Sequence, residues 1–372
     1  MPSWRDRLIA AAGPSFLGGL RAGDWLQLLR DNRFAVDLRY LPRAVSITGF
    51  SLLNSCFAWL EKARYASKLD QVVVEPPLFI LGHWRSGTTL LFNLLALDER
   101  VASPTLFEVL FPHTFLVTEP ILSRLLAPLM PPTRPSERRR FRFDTPHEEE
   151  FAICLMSLCS SHLSMAFPRR EEYYERYNTL REVSPAELRA WQTALVTFLK
   201  KLTLKYGRRL VLKSPAHTGR IRILLEMFPQ AKFVHIHRNP YEVFQSARWT
   251  MTRSSRWQRL QRRDCESFDE RTLRQYQEIY EAFFAQRGLI PSGQYHEVAF
   301  EDLERDPVGE MGKLYQRLCL GGFEAVEPAL SRHAQSLAGY RKNVFDELPR
   351  DLRDRIALEW RQSFEEWGYP TQ

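Results

Sequence analysis

The chain has 372 residues, 44% of them hydrophobic, and a formal net charge of +8 at pH 7. That length lets one large α/β domain, or a domain with an extension, bury a sizeable core. The charge suits an anionic ligand, an anionic membrane or nucleic acid. Five scattered cysteines without C-x-x-C spacing argue against a cysteine-zinc site or a disulfide framework and are typical of a reducing compartment. Since the N-terminus also lacks the apolar core of a secretory signal, we expect a cytoplasmic protein.

The first 74 residues are predicted to be a helical extension of a main domain that comprises residues 75–372. Within the extension, residues 44–60 carry no charge but include several serine, threonine and asparagine side chains. A helix that spans a membrane needs about 20 mostly apolar residues, so this stretch is marginal as a span. We expect a helix packed on the core. Peripheral contact with a membrane surface and a true span are the alternatives.

Residues 77–97 are the stretch on which the functional interpretation depends, and they predict a strand, a tight loop and a helix. The apolar run at 78–81 is typical of a strand that is covered on both faces. The loop runs from Gly82 to Gly87 with the G-x-x-x-x-G spacing of a phosphate-binding loop. From Thr88 onward, leucines recur at helical spacing.

This loop favours a tetrahedral anion over Mg-ATP. Backbone N–H groups and a helix N-terminus converge on such an anion, and the hydroxyls of Thr88 and Thr89 lie beside them. The lysine that contacts the terminal phosphates of a nucleotide is missing after Gly87, and Arg85 supplies a cation earlier in the loop. An ordinary glycine-containing turn is the alternative interpretation.

Glu108 follows the loop within an aromatic segment, residues 102–115. A carboxylate in such surroundings can have a raised pKa and act as a general base. A helix position that faces solvent explains the same pattern equally well.

Thr145 and Glu148 match the capping-box spacing, which predicts a helix N-terminus there. The three glutamates at 148–150 are more than a cap requires, so a part in acceptor binding stays open. They are poorly placed for a metal site, because adjacent positions on a helix do not face one point.

Two predicted strands end in cations. Residues 210–212 lead into Lys213 and residues 232–236 lead to Arg238, with a helix between the two strands. This order predicts a parallel sheet, whose ligands bind at the carboxyl ends of the strands. No aspartate stands at either strand end to hold Mg²⁺, so we expect no metal and a direct contact between the cations and an anionic ligand.

Residues 249–275 are rich in arginine and aromatic residues, a composition that can bind nucleic acid. No nucleic-acid-binding motif accompanies them, so a solvated amphipathic helix is favoured and no nucleic-acid partner is expected. A later basic stretch, residues 340–343, is as compatible with a solvated turn as with a binding site.

The loop sequence GHWRSGTTL resembles the loop with which sulfotransferases hold PAPS, 3′-phosphoadenosine-5′-phosphosulfate. Tyrosylprotein sulfotransferases have a similar Arg-Ser-Gly-Thr-Thr run. Ser246 follows Arg238 by eight residues, as in the second sulfotransferase signature. The resemblance covers roughly residues 76–345. It implies a P-loop-like α/β fold of three layers, with a central, mostly parallel sheet flanked by helices, after the N-terminal helical extension.

The resemblance also implies which residues contact the donor and its product, adenosine 3′,5′-bisphosphate. Contacts to the 5′-phosphosulfate come from the loop, at Arg85, Ser86, Gly87, Thr88 and Thr89. Contacts to the 3′-phosphate come from Arg238, Ser246 and, in a late basic loop, Arg341 and Lys342.

The catalytic roles follow from the same resemblance. The acceptor, expected to be a small-molecule or lipid-like hydroxyl, attacks sulfur in line while Arg85 and Lys213 stabilise charge on the leaving phosphate oxygen. Glu108 takes the proton of the acceptor, by analogy with the glutamate that follows the loop in tyrosylprotein sulfotransferases. The alternative bases are His113, His147 and Glu149.

Two other protein classes stay open on the sequence: a P-loop nucleotide kinase or NTPase, and a non-catalytic protein that binds anions or membranes. Thr88, in the place of lysine, argues against the first class. Phe300 stands where the family's Tyr-Glu-Asp-Leu element has tyrosine, so the hydroxyl contact to adenine has no counterpart at this position. The sequence does not identify the acceptor or the oligomeric state.

Overall fold

The computed structural model describes residues 15–129, 142–254, 258–263, 268–337, 345 and 347–371. The chain divides into two compact units. The first combines residues 1–74, 104–207 and 252–265, and the second combines residues 75–103, 208–251 and 266–372. The first unit thus includes segments of the chain that follow residue 74, and the division into an extension of 74 residues and a domain at 75–372 stays a prediction.

A parallel sheet of five strands forms the centre of the second unit. The strands are β1 (Leu78–Leu81), β2 (Val101–Ala102), β3 (Arg209–Lys213), β4 (Lys232–His237) and β5 (Tyr295–Ala299). They lie in the order β2-β3-β1-β4-β5, and each of these pairings is parallel. The prediction of a parallel sheet is confirmed, and the two strands that end in cations are the direct neighbours of β1.

Helices make up most of the rest of the described chain. In chain order they are α1 (Ala22–Asp31), α2 (Leu41–Gln71), α3 (Thr88–Leu95), α4 (Leu106–Leu110), α5 (Phe115–Leu126), α6 (Glu150–Ser157), α7 (Glu171–Glu175), α8 (Pro185–Tyr206), α9 (Ile221–Met227), α10 (Pro240–Ser254), α11 (Phe268–Gln286), α12 (Phe300–Arg305), α13 (Pro307–Arg317), α14 (Phe323–Leu337), α15 (Arg350–Glu359) and α16 (Arg361–Trp367).

The sheet is covered on both faces, which makes three layers. Leu78 and Ile80 of β1 belong to an apolar cluster with residues of α3, α13 and α14. Successive side chains of a strand point to opposite faces, so Phe79 lies on the other side, where its ring packs against His217. On that same side, the His235 ring of β4 stacks on Phe283 of α11 with 4.2 Å between centroids.

Capping side chains fix where helices of the first unit begin. The Ser184 hydroxyl accepts the N–H of Glu187, whose carboxylate accepts the N–H of Ser184, and the helix α8 then runs to Gly207 at φ 61°. The capping box predicted at Thr145 is wrong. The Thr145 hydroxyl donates to the Arg142 carbonyl, and α6 begins only at Glu150.

Polar contacts hold the long helix α2 in the first unit. The Asn54 side chain donates to the Gly18 carbonyl, and the buried Glu61 carboxylate accepts from the Lys201 ammonium of α8 and from the Leu116 N–H of α5, the last at 2.8 Å. The helix therefore packs on the unit along one side, as expected. In the part of the chain that the structure describes, no helix has the length and apolar character needed to cross a membrane.

The Glu61–Lys201 pair provides a test of this packing. Lys201→Met should lower the free energy of unfolding by about 3 kcal/mol, because a buried carboxylate loses its cation. The double variant Glu61→Leu/Lys201→Met should cost less than Lys201→Met alone, since no uncompensated charge stays buried. Urea unfolding measures both. Lys313→Met, which breaks an exposed pair with Glu310, is the control and should leave the midpoint unchanged. A wild-type midpoint for Lys201→Met would contradict the anchoring role.

Candidate active site

The loop after β1 opens at the carboxyl end of three adjacent strands. In the parallel register Ile80 pairs with Lys213, and Leu81 pairs with His235. Lys213 therefore ends β3 on one side of the loop, and Arg238 follows β4 on the other side. Parallel sheets bind their ligands at such a position, where consecutive connections leave a central strand in opposite directions.

Backbone conformation explains the two glycines of the loop. Gly82 has φ 142°, and its N–H donates to the Thr218 hydroxyl at 2.7 Å. Gly87 has φ 101°, and a Cβ there would lie 2.3 Å from a ring carbon of Phe300. Both positions exclude a larger residue. Arg85 also has a positive φ, 75°, a left-handed conformation that is costly for a residue with a side chain.

The loop leads directly into α3, and Gly87 is the residue that caps its N-terminus. The first N–H groups of an α-helix have no carbonyl partner within the helix and carry its positive dipole end. Those groups belong here to Thr88 and Thr89, two of the residues expected to hold the anion. The Ser86 hydroxyl is turned inward and donates to the His83 carbonyl at 2.8 Å, so in this structure it braces the loop.

The structure brings three of the expected residues together. The Arg85 Nε donates to the Ser246 hydroxyl at 2.9 Å, and Nη1 of Arg238 lies 3.4 Å from the Arg85 carbonyl oxygen. The Arg238 guanidinium also lies over the Phe300 ring, 4.3 Å from its centroid. Residues from the loop after β1, from the position that follows β4 and from α10 thus converge on one place, although they are up to 161 residues apart in the chain.

Lys213 is almost fully buried at the end of β3, with 4% of its surface exposed. Its ammonium lies 5.8 Å from the centroid of the Phe92 ring of α3. A cation that is held away from solvent acts strongly on nearby anions, because little water screens its charge. The arrangement places positive charge on both sides of the loop.

Glu242 was not expected in the site, yet its carboxylate contacts Arg238. Nε of Arg238 donates to Oε2 at 2.9 Å, and Nη2 donates to the same oxygen. The acid lies one helical turn after the arginine, so their four-residue spacing could have revealed the pair. Thr218, in contrast, reaches Gly82 only through the tertiary fold, and no sequence pattern marks it.

Glu108 lies in the first unit, and residues of that unit contact both of its carboxylate oxygens. One oxygen accepts the Thr105 N–H and completes a capping box at α4, and the other accepts from the Lys205 ammonium and the Tyr206 hydroxyl at 2.7 Å. The side chain is fully buried, so it does not face solvent. The structure gives Glu108 a helix-capping and ion-pairing role, and its part as a base stays a prediction.

The alternative bases also lie in the first unit. A ring nitrogen of His113 lies 3.2 Å from the Leu155 carbonyl, and Nδ1 of His147 accepts the Glu148 N–H. Glu149 is fully buried at the N-cap of α6. Arg341 and Lys342 lie outside the described residues. Within the described ranges, no group of three or more histidine, cysteine, aspartate and glutamate side chains could hold a metal ion.

Comparison with known proteins identifies close sequence relatives. A family model described as Sulfotransferase family matches residues 76–324. The chain is 36% identical over 367 residues to proteins of Mycobacterium bovis and Mycobacterium tuberculosis named omega-hydroxy-beta-dihydromenaquinone-9 sulfotransferase Stf3. These matches cover 98% of this chain and 93% of each relative.

Solved structures show the same fold. The sulfotransferase STF9 from Mycobacterium avium superposes with a TM-score of 0.69, covering 98% of this chain and 97% of its own. STF1 from Mycobacterium tuberculosis H37Rv superposes with a TM-score of 0.61, covering 96% and 98%. Both share 17% sequence identity with this chain, so the likeness concerns the fold. The expected P-loop-like three-layer fold is confirmed.

Three histidines, of which His83 and His113 are buried and His237 is half-buried, should make the stability of the protein sensitive to acid. Burial lowers the pKa of His83, His113 and His237 to about 4, from the ordinary value of 6.5. Between these values the unfolded chain binds protons that the folded chain does not. The free energy of unfolding should therefore fall as the pH drops from 6.5 towards 4, by up to about 1.4 kcal/mol per pH unit for each histidine.

Urea unfolding at several pH values between 7.5 and 5 measures this slope. His237→Phe keeps an aromatic ring to stack on Trp367 but cannot take up a proton, so its slope should be smaller by up to about 1.4 kcal/mol per pH unit below pH 6.5. A free energy of unfolding that is constant or rises with acidification would contradict the assignment.

Proposed function

This chain belongs to the PAPS-dependent sulfotransferase family and is a sulfotransferase, and on that premise we propose which donor contacts, acceptor and residues it uses. The proposed reaction moves the sulfuryl group of PAPS to a hydroxyl of a lipid-like acceptor without a metal ion. The observation that supports this reaction is that Arg85, in the loop after β1, contacts both Ser246 and Arg238.

The proposed donor site combines the N-terminus of α3 with the side chains of Arg238 and Ser246. The N–H groups of Gly87, Thr88 and Thr89 at the N-terminus of α3 suit the 5′-phosphosulfate, since a helix N-terminus favours an anion. Arg238 and Ser246 suit the 3′-phosphate through a guanidinium fork and a hydroxyl. By the family resemblance, Arg341 and Lys342 would add charge at the same phosphate.

In the proposed transfer, the acceptor oxygen forms a bond to sulfur as the bond between sulfur and the leaving phosphate oxygen breaks. The product nucleotide is adenosine 3′,5′-bisphosphate. Arg85 and Lys213 stabilise the charge that grows on the leaving oxygen, so protein cations do what a metal ion does in nucleotide kinases. Glu108 takes the acceptor proton in this scheme. This role requires that the ion pair between the Glu108 carboxylate and the Lys205 ammonium first breaks.

The proposed acceptor is a lipid-like hydroxyl. The 36% identical relatives are named for a hydroxylated dihydromenaquinone, and the match spans nearly the whole of both chains. A lipid-like acceptor resides in a membrane, so we also propose that the exposed side of α2 contacts the membrane surface. We place the enzyme in the cytoplasm, in peripheral contact with a membrane through residues 44–60.

Lys213→Met tests the catalytic site. It should lower the rate of ³⁵S transfer from labelled PAPS by about 10²–10³-fold, the usual cost of one electrostatic stabiliser. Thermal unfolding checks that the variant is folded, and Lys313→Met is the control that should keep its rate. A near-wild-type rate for Lys213→Met would refute the role.

Donor identity has its own test. Adenosine 3′,5′-bisphosphate at 100 times its dissociation constant should stabilise the fold by about 2.7 kcal/mol. Stabilisation by Mg-ATP in its place, with ATP turnover, would favour a nucleotide kinase or NTPase. Weak stabilisation by both nucleotides would favour a non-catalytic anion-binding protein.

The surface proposed to contact the membrane, here called the apolar stripe, lies along α2. Val45, Leu52 and Trp59 are seven residues apart, which aligns them on one side of the helix, and they are 58–73% exposed. Leu53 and Leu60 widen the stripe. The opposite side of α2 carries the buried contacts to the first unit, so only part of the uncharged segment 44–60 faces outward.

Two further features favour a lipid surface over a second protein copy as the partner of the apolar stripe. On α5, which is joined to α2 through Glu61, Ile121 and Leu125 are also 70% and 66% exposed. Exposed cations border the stripe at Lys62, Arg64 and Lys68. A tryptophan and basic side chains beside exposed leucines are typical of helices that lie on anionic membranes.

The double variant Leu52→Glu/Trp59→Glu tests the stripe. Binding to vesicles of phosphatidylcholine and phosphatidylglycerol, measured by co-sedimentation, should weaken about tenfold or more, because two anchors become anionic. Leu358→Glu is the matched control, since Leu358 is 74% exposed on α15. Unchanged vesicle binding, together with loss of a wild-type dimer in light scattering, would instead identify the stripe as a contact between two copies.

A further inference from the structure

Arg238 is largely buried and contacts several neighbours, whereas its acidic partner Glu242 is partly exposed. The arginine side chain is 12% exposed, stacks over Phe300 at 4.3 Å and lies 3.4 Å from the Arg85 carbonyl. The Glu242 side chain is 45% exposed and contacts the guanidinium from α10. A partly exposed ion pair contributes little net stability, so Glu242 can turn into solvent at low cost while Arg238 keeps its place.

Both bidentate edges of the Arg238 guanidinium face an oxygen in this structure. The edge formed by Nε and Nη2 binds the Glu242 carboxylate, and Nη1 faces the Arg85 carbonyl. A phosphate needs such an edge for a bidentate contact. The carboxylate and a phosphate are both anions, so they repel one another if both stay at the same fork.

We propose that Glu242 competes with the donor's 3′-phosphate for Arg238, and that this competition sets donor affinity and speeds release of the product nucleotide. The inference rests on the proposed function, because it needs Arg238 to contact the 3′-phosphate. As the phosphate binds, Glu242 leaves the guanidinium. As adenosine 3′,5′-bisphosphate departs, the carboxylate returns and takes over the charge-assisted hydrogen bonds that the phosphate gives up.

The competition also affects specificity. A nucleotide without a 3′-phosphate gains nothing from Arg238 and leaves the Glu242 contact intact. Only a 3′-phosphorylated nucleotide exchanges one anion at the guanidinium for another. Removing the charge of Glu242 should therefore help 3′-phosphorylated nucleotides and should leave the others unaffected.

Glu242→Gln tests the proposal, with affinities measured by calorimetry for adenosine 3′,5′-bisphosphate and for AMP, which lacks the 3′-phosphate. The variant should bind the bisphosphate up to about fivefold more tightly, which corresponds to about 1 kcal/mol, the upper range for a partly exposed pair. Its affinity for AMP should stay the same. Stopped-flow displacement should show a correspondingly slower dissociation of the bisphosphate.

Glu365→Gln is the matched control. Glu365 also pairs with an arginine four residues earlier on a helix, Arg361, and both are exposed. This variant should bind both nucleotides as the wild type does.

The outcomes separate this inference from the proposed function. A wild-type protein that does not prefer the bisphosphate over AMP would overturn the proposed function itself. If that preference is present and Glu242→Gln binds the bisphosphate more weakly, Glu242 orients Arg238 and the competition is refuted. Unchanged affinity in Glu242→Gln would refute it as well.

Discussion

The parallel register of β3, β1 and β4 is the constraint on which the site depends. Hydrogen bonds between these strands bring Lys213 and Arg238 to the same edge of the sheet as the loop. Because neighbouring strands lie about 4.8 Å apart, cations that end β3 and follow β4 flank whatever the loop holds. A one-residue slip of β3 would turn Lys213 to the opposite face of the sheet and remove its charge from the site.

Positive charge concentrated in this way has to be held against its own repulsion. The structure does so with neutral and acidic partners: the Ser246 hydroxyl on Arg85, the Phe300 ring beneath Arg238 and the Glu242 carboxylate at its fork. Ser246 and Arg238 also contact Arg85, whose backbone has a left-handed conformation that is costly for a residue with a side chain. Preorganised charges of this kind need little rearrangement when an anion binds or when charge develops during transfer.

The helix α2 of the first unit has one side packed against the unit and another side exposed to solvent. Along α2, Asn54 donates to a backbone carbonyl and Glu61 accepts from a backbone N–H on one side, whereas Leu52 and Trp59 are exposed on the other. The inward side of the uncharged stretch 44–60 carries the buried polar side chains of Ser51 and Asn54, and its outward side is apolar. This inversion explains why the segment seemed marginal as a membrane span, and it is what makes contact with a lipid surface a physically reasonable use of the exposed leucines.

By itself, the sequence determined the strand–loop–helix at 77–97, the cations at two strand ends and the membership of the sulfotransferase family, because each depends on local spacing and composition. Only the tertiary structure decided which distant residues contact one another in the site. The sequence could not show that Arg85 reaches Ser246, that Thr218 holds Gly82 or that Phe300 excludes a side chain at Gly87, since these contacts join segments far apart in the chain. It also placed a helix start at Thr145, where the threonine hydroxyl instead donates to the Arg142 carbonyl, and it could not show that Glu108 is buried. Hydrogen-bond partners and burial, which only the folded chain defines, decided these two points, because local capping patterns recur where tertiary packing selects another partner.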